Sequence, residues 1–568
     1  MEQNNQPYLA IKNALNSCKK AFIFCFLFSF FISIFTLTSS IYSMQVLDRV
    51  LSSNSIETLI FLTLMVAVFL VFLGILTYVR SMIFLHISNW LDENLAPILF
   101  HNEIDSKSIE HKKLSKNINY QQLQDLKIVK NFISGQHLAI LFDTPFAIIY
   151  LIIIFFIHPI NGCITVIGGL LMLKMAYINE RSTKELIDKT SSLQAESMRD
   201  FEIIASNSEV INAMAMKSNV YNNWQAIHGE LRKESTALAS VSNKISAISK
   251  SMRIVIQTIT MASSAILVIF NKMSSGGIIA TSILAGKALA PFDSAISLWK
   301  TIKTAKASFA RLNESLKNNV AGLDKIELPT PRGEILVDKL SYKNPNSDRF
   351  VIKGISFKIE AGEVIGIIGP TGSGKTTLAR LLVGVLKPVT GSIRIDGASI
   401  FDQNSEKIGK YIGYLPQDIE LFKGSVKQNI ARMDKNANEE AIINAAKFCG
   451  IHEIILGLPQ GYETEIMKNA SNLSAGQKQR IVLARAFFDD VKFVILDEPN
   501  SNLDSDGEIA LNKAIIKAKE NNITAVIITH RTSVASVCDK IMILKDGEIK
   551  AFDKSETIIK KLTQNDEN

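Results

Sequence analysis

From Ala21 to Tyr42 the chain reads AFIFCFLFSFFISIFTLTSSIY, a run without a single charge. As a helix it is long enough to cross a hydrocarbon core about 30 Å thick. In lipid only helices and closed barrels satisfy their own backbone, so such a run points to a membrane-spanning helix. Thr58–Val79 is a second run of this kind. Leu138–Ile157 and Ile160–Tyr177 make a third and a fourth, hinged at His158 and Pro159, and Ile254–Phe270 with Ile278–Trp299 complete six. Lys19 and Lys20 precede the first run as they would in a signal peptide. That run, however, exceeds the roughly 7–15 apolar residues of such a peptide and lacks an A-x-A-like end.

Basic residues are distributed unevenly about these spans. Arg80, Lys107, Lys112, Lys113, Lys116, Lys127 and Lys130 lie between spans two and three. Arg181, Lys184, Lys189, Arg199, Arg232, Lys233, Lys244 and Lys250 lie between four and five, whereas only Arg49 and Lys272 fall on the other side. This bias places the N-terminus and both long connections in the cytoplasm. The connections are rich in helix formers, and EVINAMAM (Glu209–Met216) has helical apolar spacing, so they are expected to continue the membrane helices into the cytosol. Asp143 and Lys174 at span ends are expected to be interfacial or snorkelling charges. Lys287 falls near the middle of the sixth span, where an ammonium facing lipid is costly. It is expected to face the bundle interior or a water-filled path and to line a route across the membrane.

The remainder of the chain is of another kind. With 568 residues, 47% hydrophobic and 20% charged, the sequence exceeds one hydrophobic core and is too charged for a bare membrane bundle. The net charge of +8 is dispersed rather than gathered with aromatics, which weighs against nucleic acid as a partner. Five cysteines, Cys18, Cys25, Cys163, Cys449 and Cys538, show no CxxC spacing, so neither a disulfide framework nor a zinc site is implied. A charged helix runs from Trp299 to about Lys317, and Pro329 and Pro331 of LPTPRG mark a boundary. Beyond it, short β-branched runs alternate with helices, the pattern of an α/β domain with a largely parallel sheet. The expected organisation is a cytoplasmic tail (1–20), an α-helical membrane domain of six transmembrane helices (21–318), a linker (319–332) and a nucleotide-binding domain (333–568).

Three segments of this last domain carry chemistry. Val364–Ile368 is an apolar strand that turns through GPTGSGKT (Gly369–Thr376) into a helix, which is a phosphate-binding loop in its required context. Gly369, Gly372 and Gly374 let successive backbone N–H groups point at one anion, with Pro370, Thr371 and Ser373 between them and the helix N-terminus adding its dipole. Lys375 is placed to reach the β and γ phosphates of ATP, Thr376 to bind Mg²⁺, and Thr377 to continue the loop into the helix. KFVILDEP (Lys492–Pro499) is a buried-type strand ending in two acids. At the strand end beside the loop, Asp497 is placed to hold Mg²⁺ and Glu498 to polarise the attacking water. SNLSAGQKQRIVLARAFF (Ser471–Phe488) opens a helix at Ser474 with an N-cap hydroxyl and free N–H groups, a second site ready for an anion.

Here the chain resembles the ABC transporters. LSAGQ (Leu473–Gln477) is similar to the signature of that family, normally LSGGQ, and lies in the required order between loop and acid-ended strand. The resemblance implies that Ser474 and Gly476 contact the γ-phosphate of ATP held by a second copy, with Gln477 also binding the nucleotide, so that the homodimer is a catalytic requirement. It further implies that Gln417, in YLPQD, touches Mg²⁺, that His530, in VIITH, holds the γ-phosphate, and that Tyr342 stacks on adenine. SNLD (Ser501–Asp504) then crosses the dimer interface. Ala475 and EIMKNASN (Glu465–Asn472) depart from the family pattern, the latter where exporters of this type carry a Gly-rich, acidic segment.

The membrane half narrows the resemblance. MQVLDRVL (Met44–Leu51), FDTPFAIIYL (Phe142–Leu151), EVINAMAM and ILAGKALAPFDSAISLW (Ile283–Trp299) are similar to the type I protein-secretion ATPases of the branch that exports metalloproteases. IGYLPQDIELF (Ile412–Phe422) and DEPNSNLD (Asp497–Asp504) agree. The resemblance implies a bacterial inner-membrane homodimer in contact with membrane lipid. It also implies a periplasmic membrane-fusion adaptor, an outer-membrane tunnel protein, and an unfolded secreted protein with a C-terminal signal as cargo. With the first span near residue 21, no N-terminal peptidase domain is expected. An exporter of lipid, drug or peptide would share the ATPase motifs and the span number, and a soluble regulatory ATPase is disfavoured by the charge-free spans.

Overall fold

The structure, a computed structural model, describes residues 18–109, 121–318, 329–344, 349–403, 405–467 and 470–566. Residues 1–17 of the tail, Lys112, Lys113, Lys116, linker residues 319–328, and Lys468 with Asn469 lie outside them. The chain divides into two compact units, one holding the apolar spans and the other the α/β fold.

Among the described residues of the first unit, six helical segments are long and apolar enough to cross a membrane: Lys19–Ser53, Ile56–Asn102, Gln136–Ile157, Pro159–Ser206, Lys217–Ile269 and Ser275–Leu316. Each contains one expected span. At 1.5 Å per residue the 48-residue fourth helix is roughly 70 Å long, more than twice the hydrocarbon thickness, so the spans do continue beyond the membrane. The third and fourth are separated at His158, whose backbone is extended (φ −163°, ψ 128°), and Pro159 occupies the first helical position, where its missing N–H costs nothing. EVINAMAM does not continue a membrane helix. Ser208–Ala213 is a short separate helix, and Met214–Met216 turns the chain through Ala215 at φ +54° before Lys217–Ile269 begins.

Burial separates the spans by role. Within the protomer 6% of the most apolar window of the second span is buried, against 44% for the sixth. The sixth is the packing centre because Ala285 and Ala288, both fully buried, let neighbouring backbones approach closely. Asp143 pairs with Arg80, which is 5% exposed and also donates to Ser29 Oγ at 2.7 Å, tying the first three spans together. Pairing removes the penalty either charge would carry alone in that setting. Lys287 is exposed on the protomer and does not face the interior of its own bundle.

In the second unit a six-stranded sheet has the order β12-β11-β3-β10-β9-β6. Its members are β3 (Val364–Ile368), β6 (Ile412–Leu415), β9 (Phe493–Asp497), β10 (Thr524–Ile528), β11 (Lys540–Lys545) and β12 (Glu548–Lys554). All neighbours run parallel except the edge strand β12. β9 and β10 are buried at every residue, as strands covered on both faces must be. A separate antiparallel sheet, β2-β1-β4-β5, is formed by β1 (Ile335–Lys343), β2 (Phe350–Ile359), β4 (Thr390–Ile395) and β5 (Ala398–Ser399). A two-strand ladder pairs β7 (Gly424–Ser425) with β8 (Glu465–Ile466).

Candidate active site

The parallel register brings the carboxyl ends of β3, β9 and β10 side by side, and the residues after them form one cleft of about 310 Å³. After β3 the chain curls through residues 369–374. A Cβ at Gly369 would lie 2.0 Å from the Leu544 carbonyl, and Gly374 has φ +102° with a Cβ position 3.0 Å from the Val351 carbonyl, so only glycine fits either place. The helix Lys375–Leu382 follows at once. Lys375 is 6% exposed and its Nζ donates to the carbonyls of Gly369 (2.7 Å) and Pro370 (3.0 Å), which holds the loop curled around its cation. Burial lowers the Lys375 pKa, and the charges of Glu498 and Asp497 partly restore it. Thr371, Gly372, Gly374, Thr376 and Thr377 line the cleft. Ser373 is buried beneath it, with its hydroxyl unpartnered among the described residues.

Asp497 ends β9 fully buried, and apart from the nearby Thr376 hydroxyl neither carboxylate oxygen has a hydrogen-bonding neighbour among the described residues. Burial raises its pKa, the Glu498 charge adding to the effect, while the Thr376 hydroxyl, Arg380 and Lys375 act the other way. An acceptor-only group so placed fits a cation, and Thr376 and Gln417 are the neighbouring oxygen donors. Glu498 has a left-handed backbone (φ +52°), a strained conformation for a non-glycine that directs its side chain into the cleft. There it lies between two other expected residues: Gln417 Nε2 donates to its Oε2 at 3.2 Å, and His530 Nε2 is 3.5 Å from its Oε1.

The remaining expected residues are placed differently. Ser474 N-caps the helix Ala475–Ala486 in a capping box with Gln477, the Gln477 N–H donating to Ser474 Oγ (3.2 Å) and the Ser474 N–H to Gln477 Oε1 (2.9 Å). Ser474 and Ala475 are exposed, and none of Ser474, Gly476 and Gln477 lines the cleft of its own chain. Tyr342 is expected to stack on adenine. It is 7% exposed inside β1, its ring belongs to the core with Ile352 and Ile355, and it is absent from the cleft wall. Strand alternation turns it inward, and Val351 of β2 lines the cleft instead.

Sequence reasoning also missed Gln479. Its amide is 1% exposed, donates to the carbonyls of Pro499 (2.5 Å) and Glu498 (3.2 Å), and accepts from the Asn502 N–H (2.9 Å). Gln479 thus locks the loop after Glu498 to the helix of Ser474. Asn500 and Thr529 join the loops after β9 and β10 (3.0 Å). In the departing segment Glu465–Asn472, the Asn472 side chain bonds to the Met467 N–H and the Glu465 carbonyl, closing it locally.

A glycine cradle at a helix N-terminus, a buried acid for a cation and a second acid aimed into the same cleft define a phosphate-loop nucleoside triphosphatase, here continuous with a six-span membrane unit. The family model of the ABC transporter matches residues 352–501, and that of the ABC transporter transmembrane region matches residues 22–290. The chain is 37% identical over 548 residues to the type I secretion system ATP-binding protein PrsD of Rhizobium meliloti (strain 1021), covering 96% of this chain and 93% of that one. It is 28% identical over 541 residues to the leukotoxin translocation ATP-binding protein LktB of Mannheimia haemolytica, and 26% identical over 539 residues to the cyclolysin secretion/processing ATP-binding protein CyaB of Bordetella pertussis. In both cases 94% of this chain and 75% of the relative are covered. A bacterial Atm1-family ABC exporter solved with ATP bound shares the fold, with TM-score 0.81 at 19% identity over 96% of this chain and 97% of that one.

The chain belongs to the ABC transporters, within the type I secretion ATP-binding proteins. It is a multi-pass inner-membrane protein with a cytoplasmic ATPase that binds ATP and couples its hydrolysis to transport.

Proposed function

We propose that the protein is the ATPase and permease of a type I secretion system, a homodimer that moves unfolded protein together with a periplasmic adaptor and an outer-membrane tunnel protein. The membrane domain is residues 21–318, the linker 319–332 and the nucleotide-binding domain 333–568. The observation that carries the reading of the site is the position of Ser474 and Ala475, an anion-ready helix end exposed at the surface while the chain's own phosphate loop lies in a different place. A second copy that lends this end to the cleft completes it, with Ser474, Gly476 and Gln477 at the γ-phosphate and residues 501–504 across the interface. The names of the relatives, a secretion ATP-binding protein and two toxin-export ATP-binding proteins, support protein as the cargo.

Within each cleft the backbone from Gly369 to Thr377 and the Lys375 ammonium bind the phosphates. Asp497, Thr376 and Gln417 hold Mg²⁺, which when bound offsets charge on the transferring phosphoryl group. Glu498, oriented by Gln417 and His530, accepts a proton from the attacking water, and His530 donates to the γ-phosphate. Lys287, exposed on the protomer in the middle of the sixth span, lines the water-filled path between the two copies. The test is secretion: with Glu498→Gln, ATP is bound and no cargo leaves the cell. Unchanged secretion would overturn the assignment of both the base and the export role.

A further inference from the structure

Where the first span leaves the cytoplasmic side, the membrane unit has a cavity of about 380 Å³ unrelated to the nucleotide cleft. Phe22 of the first span, Leu91 and Leu95 of the second, Leu126 and Ile133 of the helix Gln121–Ser134 and Phe309 of the sixth wall it. Among the described residues its only charged lining residues are Lys130 and Lys306. Lys130 is neutralised by Asp92 at 2.7 Å, whereas Lys306 is exposed and forms no ion pair among the described residues. Lys19, also exposed, stands one helical turn before Phe22 and so on the same face. A wall of Leu, Ile and Phe gives ordered water no partners, so the space suits an apolar occupant. The charge-free run beginning at Ala21 sets its depth at the boundary where acyl chains meet headgroups. Unpaired lysines at that boundary favour a negative headgroup over a neutral one.

We propose that this cavity binds one acyl chain of an anionic phospholipid of the cytoplasmic leaflet, with its phosphate on the Lys306 and Lys19 side. The lipid then joins the first, second and sixth spans to the helix Gln121–Ser134, across the seam that Arg311 closes by its two-pronged pair with the buried Asp125. This inference does not depend on what the protein exports.

Trp90 packs against the same apolar cluster and supplies the probe. The full-length protein carrying Trp224→Phe and Trp299→Phe keeps Trp90 as its one tryptophan, and is reconstituted in phosphatidylcholine nanodiscs doped with brominated lipid. Brominated phosphatidylglycerol is expected to quench Trp90 several-fold more than brominated phosphatidylcholine at equal mole fraction, saturating near one lipid per protomer. Lys306→Gln, which touches only the rim, should abolish the preference between the two lipids. Ala305→Phe, which fills the buried end, should reduce quenching by both, with melting temperature and ATPase activity reporting an intact fold. Equal quenching by the two lipids in the parent protein, or an undiminished preference in Lys306→Gln, would overturn the proposal. So would preferential quenching that appears only after residues 1–17 are deleted, since the chain's own N-terminal segment would then be the occupant.

Discussion

Two helix N-termini of the ATPase unit are equipped to meet an anion, and the fold treats them in opposite ways. At Lys375 the helix start is sunk in the structure, with Ser373 and Lys375 at 3% and 6% exposure and a glycine cradle folded over it. At Ser474 the helix start is exposed, its hydroxyl and the Gln477 amide satisfied by one another and by nothing else in the cleft. A site that needed one chain would bury both ends around one cavity. In the proposed dimer the first is a receiving half and the second a lending half, the arrangement expected when two copies share two sites. Gln479 links the two within each chain, because it is rooted in the helix that starts at Ser474 and bonded to the loop that follows Glu498.

The contrast can be broken most forcefully at the receiving half. Glu498→Gln should lower steady-state ATP turnover by about 10³-fold with nucleotide binding retained, the scale of losing a positioned base. Equal turnover in the purified variant would remove Glu498 from the chemistry. The lending half is tested by Ser474→Arg, expected to cost on the order of 10²-fold as a homodimer. Mixed with Lys375→Ala protomers it should regain activity, since one of the two shared sites in the mixed dimer is then intact. Activity of the mixture no higher than that of either parent would mean that the halves do not meet in trans.

The link between halves predicts a smaller effect. Gln479→Ala removes the Gln479 bond to the Pro499 carbonyl and leaves the Glu498 carbonyl with the Ser501 N–H alone, which should cost about 1–3 kcal/mol of stability and roughly tenfold in turnover with ATP affinity kept. A variant with normal turnover but reduced melting temperature would reduce Gln479 to a packing residue.

The pH response sharpens the account of Asp497. Its folded pKa is raised by burial, so its contribution to the stability of the nucleotide-free fold is full below the ordinary carboxylate range and is lost as pH rises through the raised value. Asp497→Asn should therefore melt higher than the parent at neutral pH without nucleotide, and should lose Mg²⁺-dependent retention of ATP. A lower melting point would show that the acid is stabilised by contacts within the fold. The smallest effect belongs to Ala475→Gly. Ala475 is exposed on the protomer, so turnover should stay within about twofold. A tenfold rise would show that the methyl crowds the lent helix end in the dimer.

What could be read from residues alone depended on how local the cause was. Charge-free runs declare themselves, and all six spans lie within the helices observed. The order of GPTGSGKT, LSAGQ and the acid-ended strand was equally legible, because strand, loop and helix starts are set by neighbouring residues. For Tyr342 aromatic identity was visible while its facing was not. In β1 it points into the core, and Val351 from the paired strand reaches the cleft. The pairing of Asp143 was not legible because its partner, Arg80, is 63 residues away. Gln479 gave no signal, since a glutamine within a helix has no distinctive spacing and its three partners belong to a loop twenty residues on.

The sequence by itself determined the class of the protein, the number of spans and the chemistry available in each motif. These follow from hydropathy, backbone propensity and glycine placement, all short-range properties of the chain. Tertiary structure decided which charges pair inside the bundle and which side chains enter the cleft. It also decided that one anion-ready helix end is enclosed and the other presented outward. Burial and pairing between distant residues are properties of packing, and no window along the chain contains both partners.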